Sequence, residues 1–369
     1  MPPPPPGMRG GAMPPPPPGY YPPPMYYPPP PPPQKRQRTS FFDIIGIAVS
    51  VTFFFFSLLA NIILFAIVAG QSSGDVATKT TTLVDGDAMN KIAVVPVEGV
   101  IMSRQAEKFD KILKRIEKDA TVKALVVQIN TPGGSVTASD AMHHRLEQFK
   151  KTTGKKVVVG MTELATSGGY YIAVAGDYVM AAPTTLTGNI GVLLPKYDLS
   201  ELGDKYGIRD DSLHSTGADF KTVGSMFKKD TPEERAYLVN LIDQAFQQFK
   251  DVIVAGRKSA TNPLKGNINQ IANGKVYTAK EAVQFGLIDE GAAYPEDVYK
   301  KAASLAGLSN PSVIRYEAQE SLAEMLTSQS LLSPRGQGGN TVNGVNVNLD
   351  PELVRELLTP RLMYLWRGQ

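Results

Sequence analysis

The sequence predicts an α/β fold with a mostly parallel sheet and crossover helices, and three observations lead there. From residue 91 onward, short apolar runs rich in β-branched residues alternate with helical stretches. One run, ALVVQI at 124–129, is apolar almost throughout, as a strand covered on both faces must be. Two of the runs pass directly into glycine-bearing turns that open helices, the local pattern of a strand crossing over to a parallel neighbour.

The elements follow in order. Of the 30 prolines, 19 lie within the first 33 of 369 residues. Such a segment favours an extended, solvated backbone and buries no core, so residues 1–40 are expected as a disordered tail. Residues 44–69 (IIGIAVSVTFFFFSLLANIILFAIVA) carry no charge over 26 positions. At 1.5 Å per residue this is about 39 Å of helix, against a hydrocarbon core of ~30 Å, so one transmembrane helix is expected over 41–70. A cleaved leader has a shorter apolar region. Lys35, Arg36 and Arg38 precede the span, whereas residues 71–82 hold only Asp75 and Lys79. That bias keeps the tail cytoplasmic and sends the body outside the cytoplasm, in a single-pass protein of the cell membrane. Residues 71–90 are small and polar and read as a tether.

The body is expected over 91–308. It reads as strand 92–97, helix 105–118, strand 124–129, helix 136–150, strand 156–161, a short helix after Ser167 and a strand at 178–182. A long amphipathic helix follows from Pro232 to about Gly256, and GLID at 286–289 lies near the end of the domain. Residues 309–369 are expected as a Ser, Gly and Asn-rich flexible linker with a final helix over 351–358, stopped by Pro360.

Composition excludes several functions. The net charge of +3 is supplied entirely by residues 1–43, so the remainder is neutral and lacks the basic face of a nucleic-acid-binding body. There is no cysteine, hence no disulfide, thiolate nucleophile or Cys-ligated zinc. Three histidines, His143, His144 and His214, are little material for a metal site, and neither metal nor cofactor is expected.

Two segments can carry chemistry. In NTPGGSV (130–136) adjacent glycines let backbone N–H groups approach a ligand at a helix start, as an oxyanion hole or anion cradle requires. An ordinary strand-to-helix turn has the same residues. In TSGGYYIA (166–173) Ser167 stands where a strand enters a helix and can present its hydroxyl, with the Gly168 amide beside it. A helix-capping serine is the alternative. No histidine lies between His144 and His214 to activate Ser167. The other available base is a lysine kept neutral by desolvation. Lys221, within the mainly small and apolar GADFKTVGS (217–225), is one candidate, although spacing alone does not select it.

The set VVPVEGVI (94–101), NTPGGSV (130–136), TSGGYYIA (166–173), LTGNIGV (186–192), Lys221-x-x-Gly224-Ser225 and GKVYTAKEA…GLIDEG (274–291) resembles the signal peptide peptidase A family. The match is collinear from about 92 to 305. The resemblance implies a membrane-bound serine–lysine peptidase on the Clp protease/crotonase fold. It implies Ser167 as nucleophile, Lys221 as general base, and Gly134 and Gly168 as oxyanion donors, with Gly133 an alternative to Gly134. Asn189 stands in LTGNIGV where most relatives have Ser, thought to hold the lysine amine; Asn still accepts a hydrogen bond through its carbonyl oxygen. Peptide substrates such as released signal peptides, a lipid bilayer and a homo-oligomeric ring are the implied partners, with no nucleic acid. Ser167 and Lys221 are 54 residues apart with no local reason to meet in one subunit. Two rivals remain: a silent peptide-binding membrane scaffold, and a crotonase-type acyl-CoA enzyme.

Overall fold

The computed structural model describes residues 41–72, 78–319 and 361–368. It divides into two units, residues 1–73 and 74–369. Among the described residues the first contains one helix, α1 (Phe41–Ser72). Its stretch Ile45–Ile63 has a mean hydropathy of 2.1, and the apolar side chains described there, such as Phe53 and Phe56, are exposed. It is the single helix among the described residues long and apolar enough to cross a membrane.

The second unit is built on a sheet of eight strands. With a separate pair, the strands among the described residues number ten, in chain order β1 (Thr78–Val84), β2 (Asp87–Glu98), β3 (Val122–Thr131), β4 (Gly133–Ser135), β5 (Lys156–Thr166), β6 (Tyr178–Ala181), β7 (Leu186–Gly188), β8 (Val276–Thr278), β9 (Pro311–Ala318) and β10 (Met363–Leu365). The main sheet runs β1-β9-β2-β3-β5-β7-β8, with β6 also paired to β5, while β4 and β10 form a separate pair. Within the main sheet only β1–β9 and β7–β8 are antiparallel. The mostly parallel sheet is therefore as expected.

Its interior follows from the two-residue side-chain period of a strand. Ala93, Val95, Val97, Leu125, Val127, Val157 and Val159 face one layer with Phe109, Leu113 and Ile116 of α2 (Ser103–Lys118) and Leu146 and Phe149 of α3 (Val136–Thr153). The alternate positions Ile92, Val94, Ala124, Val126 and Val158 face Val298 and Ala302 on the helix Pro295–Leu305. Cover on both faces is why β3 is apolar almost throughout.

Two expectations are corrected. Residues 78–90 were expected within a polar tether, but Thr78–Val84 and Asp87–Glu98 are strands. The run TKTTTLV is β-branched and mostly exposed, an antiparallel edge strand whose partner at 311–318 is far away in sequence. Residues 311–318 were expected in a flexible linker, but β9 lies inside the sheet between β1 and β2, with Val313 and Tyr316 buried. The Ser, Gly and Asn-rich composition begins beyond it. Within the same expected linker, Met363–Leu365 is also strand. The tail expected over 1–40 and the helix expected over 351–358 lie outside the described residues.

Candidate active site

The carboxyl ends of neighbouring parallel strands are where an open α/β sheet offers a ligand cleft. Strands β3 and β5 are adjacent, and their ends deliver the two motifs to one place. From β5 the chain turns into α4 (Gly168–Ala173) through Ser167, whose φ of 54° and ψ of −112° leave the regions that L-residues favour. A serine so held costs of order 1–3 kcal/mol and persists only because its surroundings enforce it. They do so through the Ser167 N–H, which donates to Gly188 O at 2.7 Å, and the Ser167 carbonyl, which accepts from Tyr171 N at 2.9 Å. The side chain makes no helix cap. Its Oγ is buried and without a hydrogen-bond partner among the described residues. That removes the capping alternative for Ser167 and leaves a poised hydroxyl.

The glycine turn after β3 is ordered by Thr131, whose hydroxyl donates to Gly99 O and accepts from the Gly133 N–H at 3.0 Å. Gly133 has φ of 98°, and its carbonyl accepts from Ile101 N at 2.8 Å. The Gly133 amide is thus already engaged. Those of Gly134 and Gly168 converge: a Cβ placed on Gly168 would lie 3.2 Å from Gly134 N, and one on Gly133 only 2.8 Å from Gly168 N. Only glycine permits this approach. Thr131 was not singled out in the sequence, because its partner Gly99 lies 32 residues earlier and only the fold brings the two together.

Asn189 follows Gly188 directly. It is the other non-glycine residue of positive φ among the described residues, at 50°, a conformation Asn tolerates better than most. Its N–H donates to Lys275 O at 2.7 Å and its Nδ2 to Gly274 O at 2.6 Å, so its Oδ1 remains an acceptor. Lys221 lies on a 3-10 turn, Asp219–Thr222, and is exposed. It is not a hydrogen-bond partner of Ser167 Oγ within this chain. The structure therefore sets Ser167, Gly134 and Gly168 at one cleft, with Asn189 on the turn bonded to Ser167, and Lys221 makes no hydrogen bond to Ser167 Oγ within this chain.

The histidines are accounted for. His214 is exposed. His143 is half-buried with its ring edge-on to Tyr171 at 5.3 Å, and burial lowers its pKa. No group of side chains among the described residues has the makings of a metal site.

The chain is similar to known peptidases. The model of peptidase family S49 matches residues 149–309, and that of Clp protease matches 79–187. The chain is 34% identical over 223 residues to a Synechocystis sp. protein named as a protease, spanning 60% of this chain and 77% of that one. It is 33% identical over 218 residues to one so named in Methanocaldococcus jannaschii, spanning 59% and 67%. The chain belongs to peptidase family S49. This S49 peptidase is also 30% identical over 247 residues to an Enterococcus faecium protein named as a signal peptide peptidase, spanning 64% and 70%. As a member of S49 it is a serine peptidase on a Clp protease-like α/β fold. The two matches overlap over residues 149–187, a stretch that includes the turn at Ser167.

Proposed function

We propose that this S49 peptidase is a membrane-anchored serine endopeptidase that degrades short hydrophobic peptides, such as released signal peptides, with Ser167 as nucleophile and Lys221 as general base. The observation that carries the reading is the strained, buried and unpartnered Ser167 hydroxyl beside the Gly134 and Gly168 amides. A hydroxyl in that state costs stability and has no structural role to offset it. Ser167 Oγ adds to the peptide carbonyl carbon, the neutral Lys221 amine takes the hydroxyl proton, and the two amides stabilise the oxyanion. The departing amine receives that proton, and water activated by the same lysine hydrolyses the ester.

Lys221 reaches Ser167 from a neighbouring copy, in a closed ring of like subunits. An exposed lysine that does not pair with the nucleophile of its own chain favours completion across an interface. The apolar span of α1 and the cations before it support a single-pass anchor with residues 1–40 cytoplasmic and the peptidase domain on the far side. A peptidase standing there meets apolar peptides as they leave the bilayer.

The test is hydrolysis of hydrophobic peptides by the detergent-solubilised full chain, with labelling of Ser167 by an acylating probe. Ser167→Ala and Lys221→Ala are each expected to lose activity by about 10³-fold or more. Substantial hydrolysis by either variant would sink the dyad.

A further inference from the structure

Strands β5 and β7 run parallel and end in register, with Thr166 opposite Gly188 as their last pair. One residue further on stand Ser167 and Asn189, the two non-glycine residues of positive φ among the described residues. Two neighbouring strands therefore break at the same level, each through a polar residue. The Ser167 N–H, donating to Gly188 O at 2.7 Å, ties the two breaks together.

Threonine recurs at this end of the sheet, and its hydroxyl has a common use there. Thr187 Oγ1 donates to Ala165 O at 2.7 Å and Thr162 Oγ1 to Ile129 O at 3.3 Å. Thr185 donates to Thr162 O, and Thr131 to Gly99 O. Each ties one segment of the sheet to its neighbour. Thr166 does not: its side chain is wholly buried, and its Oγ1 has no hydrogen-bond partner among the described residues. The adjacent Ser167 Oγ is in the same state. An unpaired buried hydroxyl is costly to the fold, and two in succession at one strand end mark a place that receives a polar group.

The donors and acceptors of a lysine base fit this pair. A neutral amine has one lone pair and two N–H donors. The lone pair must take the Ser167 proton, so in a buried site both N–H groups need acceptors. Asn189 can supply one, since its N–H and Nδ2 are engaged with Lys275 O and Gly274 O and its Oδ1 remains an acceptor. The second must come from the same strand ends, where the Thr166 hydroxyl has both lone pairs unused.

We propose that Thr166 is a positioning residue for the base: its Oγ1 accepts one N–H of the Lys221 amine, Asn189 Oδ1 accepts the other, and the lone pair is thereby aimed at the Ser167 hydroxyl. The inference rests on the function proposed above and deepens it, by giving the contacts that fix a lysine arriving from a neighbouring copy. When the amine has taken the Ser167 proton it is an ammonium with three N–H donors. The same two acceptors hold it, and the third N–H passes its proton to the departing amine.

The test compares Thr166→Val, which keeps the shape and loses the hydroxyl, with Thr166→Ser, which keeps the hydroxyl, in the detergent-solubilised full chain. Thr166→Val is expected to lower kcat about tenfold or more and to leave KM within about twofold. Labelling of Ser167 by an acylating probe should slow in step. Because that variant removes an unpaired buried hydroxyl, its melting temperature should equal or exceed that of the wild type, which a structural role for the hydroxyl would not allow. Thr166→Ser should keep kcat within about threefold. Should Thr166→Val fold poorly, Thr166→Ala against Thr166→Ser gives the same reading, with the Ala variant slow and the Ser variant fast. A Val or Ala variant as fast as the wild type, a Ser variant as slow as either, or a loss confined to KM would overturn this inference. The proposed function would then still stand on the losses in Ser167→Ala and Lys221→Ala. No Ser167-dependent hydrolysis of any peptide would overturn both.

Discussion

The backbone N–H of Ser167 donates to the carbonyl of Gly188 at 2.7 Å, so the strained serine is pinned to the turn that carries Asn189. Strand β7 ends at Gly188 and pairs with the end of β5, which makes the bond a continuation of the sheet into the active-site turn. The sheet itself thus holds the nucleophile in its unfavourable φ.

Relief of that strain has a measurable consequence. Ser167→Gly is expected to abolish hydrolysis while raising stability to denaturant by about 1 kcal/mol, since strain of ~1–3 kcal/mol is removed against a glycine entropy cost of ~0.5–1 kcal/mol. Ser167→Ala keeps the backbone penalty and should be less stable than Ser167→Gly. A Gly variant no more stable than the Ala variant would show that the backbone at 167 stores no strain.

Sharing of the site between copies predicts complementation. Ser167→Ala and Lys221→Ala, each inactive alone, should recover part of the activity when co-assembled, because some interfaces then join an intact serine to an intact lysine. Co-assembled but inactive mixtures would place both residues in one subunit.

His143 predicts a pH dependence of stability. Its pKa is lowered by burial, against the opposing pull of Glu147 and Asp140 and with help from Lys150 and His144. The unfolded chain therefore takes up a proton here at higher pH than the folded chain does. Stability from this group is present above about pH 6.5, the ordinary histidine value, and is lost as pH falls below it toward the lower folded pKa. Melting of His143→Phe between pH 7.5 and 5.5 should show a smaller loss than the wild type. Parallel curves would deny the histidine this role.

The pair Arg257 and Asp289 is fully buried, at 1% and 0% side-chain exposure, with Nη2 to Oδ1 at 2.9 Å. Arg257 also donates to Gly286 O and Asn262 O, while Asp289 accepts from the backbone of Val179 and Asn262. Arg257→Met is expected to cost about 3–5 kcal/mol by stranding a buried carboxylate, and adding Asp289→Leu to return part of it. A single variant within about 1 kcal/mol of the wild type would mean that water reaches the carboxylate.

Much of the fold was legible along the chain because it is encoded by short-range periodicity. The alternation around Val94, Val126 and Val158 marks strands, the run after Pro232 marks a helix, and the uncharged stretch over 44–69 marks the apolar helix. Ser167 and Gly134 were legible for a related reason: each stands where a strand meets a helix, a junction visible within a few residues. Long-range pairing left no such mark. Strand β9 sits inside the sheet between β1 and β2 although it lies over 200 residues from β2, and its register came only from the partners it found. Thr131 became an ordering residue only when Gly99 arrived beside it. Strand β10 found its place only against β4, over 200 residues earlier, with Tyr364 packed on Tyr171 and Phe249 from two separate helices. Local propensity is written in neighbours along the chain, whereas a cleft is written in distances that only the packed sheet and helices create.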